Sequence, residues 1–196
     1  MRRTRGVTRS SAFDVEMHLS KTDNVPVLPL DITDTNNIAA AVAQLQANGA
    51  TRDVLVNTAA VFVDDRTPAT ATLDKLRATD GVNLFGQVAI TQAMLPLLRA
   101  GTLKRIVNVS SDLGALSLQG DPGDRYHAAN ALGDCSSKAA LNAFAVVLTN
   151  EPRSEGFEVN TGTPGYTATD LNGHTGPGSV EPAAATVAHV AMSEHC

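Results

Sequence analysis

The chain has 196 residues and a formal net charge of −5; 43% of the residues are apolar, 4% are aromatic and none is tryptophan. This length and apolar fraction exclude a wholly disordered chain and predict a single domain spanning residues 1–196. The acidic balance argues against a nucleic-acid partner or an anionic membrane surface. No apolar run reaches the roughly 20 residues that a membrane span needs, so no membrane partner is expected.

The N-terminus reads MRRTRGVTRSSAF, which is rich in Arg and Ser and free of acids. Such a composition is similar to an organelle transit peptide, but we favour an ordinary solvated chain start. The two cysteines, Cys135 and Cys196, form neither a CxxC pair nor a metal-ligand pattern. We therefore expect free thiols, no metal site and a cytoplasmic location.

The first half of the chain alternates strand and helix signals. Residues 25–32 (VPVLPLDI) predict a strand that Pro26 and Pro29 make an edge or irregular one. A helix follows, capped by Asp34 or Thr35 and stopped by Gly49. Residues 53–57 predict a short buried strand and residues 70–99 a long helical region, which Pro96 should kink or end early. Leu84, Val88, Thr91 and Leu95 predict its core face.

The second half continues the alternation. Residues 105–111 (RIVNVSS) predict a buried strand, 112–128 a loop, 132–148 (LGDCSSKAALNAFAVVL) a helix, 157–166 a strand and turn, and the C-terminal part a short Ala-rich helix. Such an order predicts an α/β fold, a doubly wound, mostly parallel sheet with helices on both faces. Ligands in such sheets bind outside the carboxyl ends of the strands. Polar or turn-forming residues stand at all four predicted ends: Asp31, Asn57, Ser110–Ser111 and Pro164–Gly165.

The strand ends and the helices after the second and third strands carry six motifs. In order they are LDITD (30–34), VNTAA (56–60), NLFG (83–86), IVNVSSDLG (106–114), SKAALN (137–142) and PGYTATDL (164–171). Together they resemble the L-D-V-T-D, N-N-A-G, N-x-x-G, I-V-N-x-S-S-x-x-G, Y-x-x-S-K-A-A-L and P-G-x-x-x-T-D motifs of the short-chain dehydrogenase/reductase family. The resemblance implies a Rossmann-like fold, an NAD(P) cofactor and hydride exchange with a small carbonyl or alcohol substrate. It leaves the choice between NAD and NADP open.

The resemblance also implies roles for individual residues. Asn83 would support a proton-relay water, Ser111 would orient the carbonyl, and Lys138 would lower the pKa of a catalytic group and touch the cofactor. Asp31 and Ile32 would lie beside the adenine. The remaining cofactor-binding residues would be Asn57, Thr58 and Ala59 on the adenine-ribose side, and Pro164, Gly165 and Thr169 over the nicotinamide and diphosphate.

The first departure from the family is at the catalytic position. The family has Tyr four residues before the lysine, whereas this chain has Asp134. An aspartate has an ordinary pKa of about 3.9, and a neighbouring lysine should lower it further. We therefore expect an anion with no proton to donate. Tyr126, eight residues earlier, would be an alternative donor, but nothing in the spacing requires it to reach the site.

The second departure is at the phosphate-binding loop. The family begins with a strand and a T-G-x-x-x-G-x-G turn that holds the cofactor diphosphate. Here GVTRSS (6–11) resembles the end of the family's second strand, and no such turn precedes it. We therefore expect that the usual first βα unit is lacking and that the match is incomplete at both ends.

Two hypotheses follow. The first is an NAD(P)-dependent oxidoreductase impaired at Asp134 and at the phosphate loop; the alternative is a non-catalytic scaffold or interaction protein derived from the family. A serine hydrolase is a distant third, because Ser111 lacks a GxSxG elbow. We expect a homo-oligomer, since the resemblance pairs equivalent helices and unpaired strand edges invite association.

Overall fold

The computed structural model describes residues 27–49, 51–63, 67–151 and 155–193. The transit-peptide-like start, the GVTRSS stretch and Cys196 lie outside these residues. The helices and strands are α1 Thr35–Ala47, β1 Val54–Asn57, α2 Leu73–Asp80, α3 Gln87–Arg99, β2 Arg105–Val109, α4 Leu116–Gly120, α5 Leu132–Asn150, β3 Glu158–Gly162 and α6 Val180–Met192. A π-helical turn, Gly81–Gly86, joins α2 to α3.

Local sequence signals explain where the first helix begins and ends. The Asp34 carboxylate accepts hydrogen bonds from the backbone N–H groups of Asn36 and Asn37, so it caps α1 as predicted. Gly49 follows the helix with a φ of +63°, a left-handed conformation that glycine adopts without a steric penalty.

The described strands form a three-stranded parallel sheet in the order β1-β2-β3. Asn57 is in register with Asn108, which is in register with Thr161, so the carboxyl ends of the strands lie at one edge. The central strand is covered on both faces. Ile106 packs with residues of α1, α3 and α5, whereas Val107 lies on the face where Val190 of α6 approaches the sheet. The predicted doubly wound α/β architecture is confirmed.

The predicted strand at 25–32 is wrong for the part that is described, because residues 27–31 form no strand. The backbone N–H of Asp31 donates to the Asn37 side chain at 2.7 Å instead of to a neighbouring strand. Pro96 also does not end its helix, which continues to Arg99. The segment 112–128 is not a plain loop, since it contains α4.

The helical run from Leu73 to Arg99 is continuous through the π-helical turn. By length and composition it would be able to cross a membrane. Core helices of soluble proteins satisfy the same criterion, and the face with Ile90, Met94 and Leu98 is buried against the sheet. The expectation that the chain has no membrane partner stays a prediction.

Candidate active site

The site is built at the edge where the parallel strands end. Lys138 on α5 is only 5% exposed, and its Nζ donates to the backbone oxygen of Val109 at 2.9 Å, at the last residue of β2. Ser111 follows two residues later. The lysine therefore connects α5 to the strand end that carries the serine, as expected for two residues of one site.

Asp134 lies one helical turn before Lys138, at the start of α5. Burial raises the pKa of the Asp134 carboxyl above its ordinary value, and the charge of Lys138 opposes this only in part. Burial likewise lowers the pKa of Lys138, with Asp134 opposing. The prediction of a lowered Asp134 pKa is wrong, because removing the carboxylate from water costs more than the attraction of the lysine returns.

Asn83 is fully buried in the π-helical turn. Its side chain accepts from the backbone N–H of Val61 at 2.8 Å and donates to the backbone oxygen of Val61 at 3.1 Å. It also donates to the Ser137 hydroxyl at 3.2 Å. Asn83 thus joins the segment after β1 to the helix of Lys138, and Ser137 supplies the link.

Ser111 precedes a short 3-10 turn, Asp112–Gly114, and its hydroxyl accepts a hydrogen bond from the backbone N–H of Leu113 at 3.2 Å. Tyr126 approaches the same turn. Its hydroxyl donates to Asp112 at 2.5 Å and accepts from Arg125 at 2.8 Å. Burial and Asp112 raise the pKa of Tyr126. This shift is opposite to the one that a phenol needs to donate a proton near neutrality.

The expected adenine-side residues are split between a solvent-exposed turn and a groove. The Asp31 carboxylate is exposed and accepts from the Thr33 hydroxyl at 2.7 Å; this hydrogen bond and one from the Thr33 backbone lower its pKa. Ile32, Asn57, Thr58 and Ala59 line one hollow of about 170 Å³. We call this hollow the β1 groove; its other walls are Leu30, Leu55, Val56, Gln87 and Ile90.

Asn57 is buried at the end of β1, and its side-chain amide forms hydrogen bonds within the protein. The amide donates to the Thr91 hydroxyl at 2.9 Å and to the Asn108 side chain at 2.8 Å. These bonds tie β1 to α3 and to β2. In this conformation the side chain of Asn57 positions the strand end, so a ligand would meet the backbone of the turn rather than this amide.

The expected nicotinamide-side residues follow β3. Pro164 and Gly165 line a second hollow of about 380 Å³, which Tyr166, Thr167 and the start of α6 complete. Gly165 has a φ of +79°, so the turn there needs glycine. Thr169 begins the 3-10 turn Asp170–Asn172 with reciprocal hydrogen bonds to Asn172. These three residues are not in hydrogen-bond contact with Lys138 or Ser111.

Two buried polar residues of the site, Gln87 and Ser137, were not predicted from the sequence as site residues. Gln87 Nε2 donates to the backbone oxygen of Ala59 at 2.7 Å, and so holds the turn after β1. The signal for Gln87 was a polar residue within the apolar sequence NLFGQVAITQAM. Of the predicted core face of this helix, Thr91 is fully buried and Leu95 packs against the core, whereas the buried residues near Leu84 and Val88 are the polar Asn83 and Gln87. The described residues contain no group of three potential metal ligands.

A parallel sheet covered on both faces, with Asn83, Ser111 and Lys138 near its carboxyl ends, defines a Rossmann-like fold with a polar site. A family model described as short chain dehydrogenase matches residues 7–179. The chain belongs to the short-chain dehydrogenase/reductase family, a family of oxidoreductases.

Individual relatives agree with this assignment. Dehydrogenase/reductase SDR family protein 7-like of Anopheles gambiae is 35% identical over 169 residues, which are 84% of this chain and 50% of that protein. The 17-beta-hydroxysteroid dehydrogenase type 6 of Bos taurus is 34% identical over 151 residues, 76% of this chain and 44% of that protein. The chain therefore spans about half the length of these two relatives or less.

Among solved structures, the NADPH-bound carbonyl reductase from chicken fatty liver superimposes with a TM-score of 0.79. The identity is 24%, and the match covers 95% of this chain and 77% of the reductase. At this identity the similarity concerns the fold alone.

The described residues do not fit a whole nicotinamide dinucleotide. The β1 groove, at about 170 Å³, is smaller than the roughly 300–1,000 Å³ of ordinary ligand pockets. The Asn57 amide is used within the protein. The feature that receives a diphosphate in this fold is a glycine-rich turn that joins a strand directly to a helix. No described segment supplies it, because the glycines before α6 (Gly173, Gly176 and Gly178) follow a 3-10 turn and not a strand.

Proposed function

We propose that the chain is a short-chain oxidoreductase for a small carbonyl or alcohol substrate, with NAD(P) as its cofactor class, and that its activity is impaired. The observation that carries this proposal is the pair at the start of α5. Lys138 is buried and reaches the end of β2, while Asp134 stands where the resemblance places the catalytic tyrosine. The lysine is retained, and the group whose pKa it would lower is replaced.

Asp134 cannot take over the role of a tyrosine in an equivalent way. Its side chain is shorter by most of an aromatic ring. When it is ionised, its charge opposes the negative charge that develops on a carbonyl oxygen during reduction, because like charges in a desolvated site repel strongly. A missing general acid costs typically about 10²–10⁴ in rate.

The test is single-turnover oxidation of NADPH with a generic ketone at the highest practical NADPH concentration, from about pH 6 to 9 to bracket the neutral range where a tuned acid works. We expect Asp134→Tyr to raise the rate detectably, toward the about 10²-fold or more that a general acid supplies. The gain should vanish in Asp134→Tyr, Lys138→Ala, because the lysine lowers the pKa of the phenol. Asp134→Asn, the matched control, removes the charge without adding an acid and should gain little.

Turnover by the unmodified chain that Asp134→Tyr leaves unchanged would contradict the proposal and direct attention to Tyr126 as the donor. No turnover by any of these variants would favour the non-catalytic scaffold instead.

We also propose a cytoplasmic homo-oligomer. Cys135 is a free, buried thiol, which is consistent with a reducing compartment. Phe85 exposes more than half of its surface on the helical segment that the family resemblance pairs in dimers, and Val146 and Val147 do the same on α5. Sedimentation of the full chain tests the oligomer, and charged substitutions at Val146 and Val147 should shift it toward the monomer.

A further inference from the structure

Lys138 is a buried amine that forms no ion pair within the described part of the chain. The residue is 5% exposed, and among the described residues its Nζ makes one hydrogen bond, to the backbone oxygen of Val109 at 2.9 Å. Asp134, one helical turn away, acts on it through the attraction of its charge. A backbone oxygen accepts a hydrogen bond from a neutral amine as well as from an ammonium ion, so this position admits both forms.

Burial shifts Lys138 and Asp134 toward their uncharged forms. It lowers the pKa of the lysine and raises the pKa of the aspartate, and the charge of each residue opposes the shift of the other only in part. The start of α5 thus places a carboxyl group that can hold a proton one turn from an amine that can lose one. A desolvated lysine is a nucleophile toward carbonyl groups, with which it forms Schiff bases.

The amine lies close beneath the surface, at the strand end that carries Ser111. Val109, whose oxygen accepts its hydrogen bond, and Asp134 are half-buried rather than buried. The Ser111 hydroxyl accepts from the N–H of Leu113 but donates its own hydrogen to no described residue. That hydrogen is therefore available to a carbonyl oxygen. A small ketone or aldehyde would meet an amine, a carboxyl group and a hydroxyl group at one strand end.

We propose that Lys138 forms a Schiff base with small ketones or aldehydes that carry an α-hydrogen, and that Asp134 moves the protons of this reaction. The Lys138 nitrogen adds to the carbonyl carbon, and a proton passes from this nitrogen to the carbonyl oxygen. Asp134 then donates a proton to the resulting hydroxyl group, which leaves as water, and an iminium ion remains. The Asp134 carboxylate takes the α-proton, and the electron pair of the C–H bond forms the C=C bond of an enamine. The reaction uses no nicotinamide and goes beyond the proposed oxidoreductase.

Two measurements on the full 196-residue chain, with acetone as the probe and no nucleotide present, test the proposal. Sodium cyanoborohydride reduces an iminium ion to a stable secondary amine, and mass spectrometry of peptides then identifies the modified lysine. Proton NMR in D₂O follows the exchange of the α-hydrogens of acetone, which the reversible enamine step causes. At about pH 7 we expect acetone to modify Lys138 at least about tenfold faster than Lys104, because burial increases the fraction of free amine.

Lys104 is the internal control, because its Nζ donates to the backbone oxygen of Glu155 at 2.9 Å, the same type of bond, in a less buried position. Lys138→Arg keeps the positive charge and should abolish both the adduct and the exchange.

Asp134→Asn keeps the size of the side chain and removes the acid, so it should slow the exchange by about 10²-fold or more. Asp74→Asn, at an exposed carboxylate on α2, should not slow it. Acetic anhydride needs a free amine but no acid. It should acetylate Lys138 in Asp134→Asn at least as fast as in the unmodified chain, since the charge that favours the ammonium form is gone. Circular dichroism verifies that each variant is folded.

Three results would overturn the proposal. If neither reagent modifies Lys138 faster than Lys104 in the unmodified chain, the amine stays charged or out of reach. Acetylation of Lys138 without an acetone adduct would show a free amine that forms no Schiff base. Exchange that Asp134→Asn leaves unchanged would show that another group moves the protons. None of these measurements depends on NADPH, so failure of this proposal is distinguishable from failure of the proposed oxidoreductase.

Discussion

At the scale of single residues, the ionisation of Asp134 connects the site to stability. Burial raises the pKa of its carboxyl in the folded state, so over the range between the unfolded and folded pKa values the folded chain binds more protons than the unfolded one. Stability therefore falls as pH rises through this range and stays lower above it. We expect Asp134→Asn to raise the melting temperature at pH 7, and the gain to disappear below the ordinary aspartate pKa of about 3.9.

Thermal unfolding followed by circular dichroism in a pH series measures this difference. Asp74→Asn is the matched control, because Asp74 is exposed and its ion-pair partner among the described residues is Arg77 on the surface of α2. It should change stability by less than about 0.5 kcal/mol at any pH. A lower melting temperature for Asp134→Asn at pH 7 would mean that the attraction of Lys138 outweighs the desolvation of the carboxylate.

The motifs predicted that Ser111 follows a strand and that Lys138 lies on the next helix, and the structure has both placements. The catalytic roles of Asn83, Ser111 and Lys138 stay predictions. The motifs did not predict the direction of the Asp134 pKa. That direction depends on how much of the carboxylate is removed from water, which arises from the packing of α2, the π-helical turn and α5 rather than from spacing in one helix. Gln87 was missed for the same reason.

At the scale of elements, the turn after Ser111 and the helix of Lys138 approach each other closely at Gly114. A Cβ atom at Gly114 would lie 2.7 Å from the backbone carbon of Lys138 and 2.9 Å from Nδ2 of Asn142. Because backbone cannot move as easily as a side-chain tip, Gly114→Ala should force the turn and α5 apart. We expect a loss of about 1–3 kcal/mol in the free energy of unfolding.

Urea unfolding measures that loss, with Gly120→Ala as the control. Gly120 ends α4, and a Cβ there would meet nothing within 4 Å; this variant should be neutral or slightly stabilising. Equal stability of Gly114→Ala and the unmodified chain would show that the turn can shift without cost, and that Gly114 does not position Lys138.

The most predictable elements were those whose start, end and apolar pattern are determined by residues within or next to the element itself. The helix α1 has its cap, its apolar face and its terminal glycine in sequence, and its boundaries agree with the prediction to within a residue or two. The strand at 25–32 failed because strand formation depends on a partner, and the Asn37 side chain takes the N–H of Asp31. On α3 the apolar pattern predicted the buried Thr91 but not the buried Gln87, because the burial of this polar side chain depends on its hydrogen bond to the backbone oxygen of Ala59.

At the scale of the whole molecule, the buried Arg105, which is paired with the partly exposed Glu158, helps to hold the C-terminal helix on the sheet. Arg105 Nε lies 2.7 Å from Glu158, across the β2–β3 pair, and the same guanidinium donates to the backbone oxygen of Ala191 at 3.2 Å. The second hollow, between the turn at Pro164–Gly165 and the start of α6, depends on this placement. The larger hollow, of about 380 Å³, thus lies at the carboxyl end of β3, whereas the β1 groove measures about 170 Å³.

This asymmetry leads to an expectation for cofactor affinity. Much of the binding energy of a dinucleotide in this fold comes from a glycine-rich turn that lets backbone N–H groups and a helix N-terminus approach the diphosphate. In this sequence no such turn precedes the sheet. The β1 groove offers mainly apolar contacts, and the Asn57 amide is already paired. We expect a dissociation constant for NADPH and NADH weaker than about 1 mM, which corresponds to less than about 4 kcal/mol.

Fluorescence titration and calorimetry of the full chain with each nucleotide measure this affinity. Separate titrations with adenosine and with inorganic diphosphate measure the affinity of the chain for each of these two parts of the nucleotide. Adenosine should bind as well as the whole dinucleotide, because the groove is lined by residues that the family resemblance places on the adenine-ribose side, whereas diphosphate should not bind. A micromolar constant for NADPH would contradict the expectation and show that another part of the chain supplies the missing N–H donors.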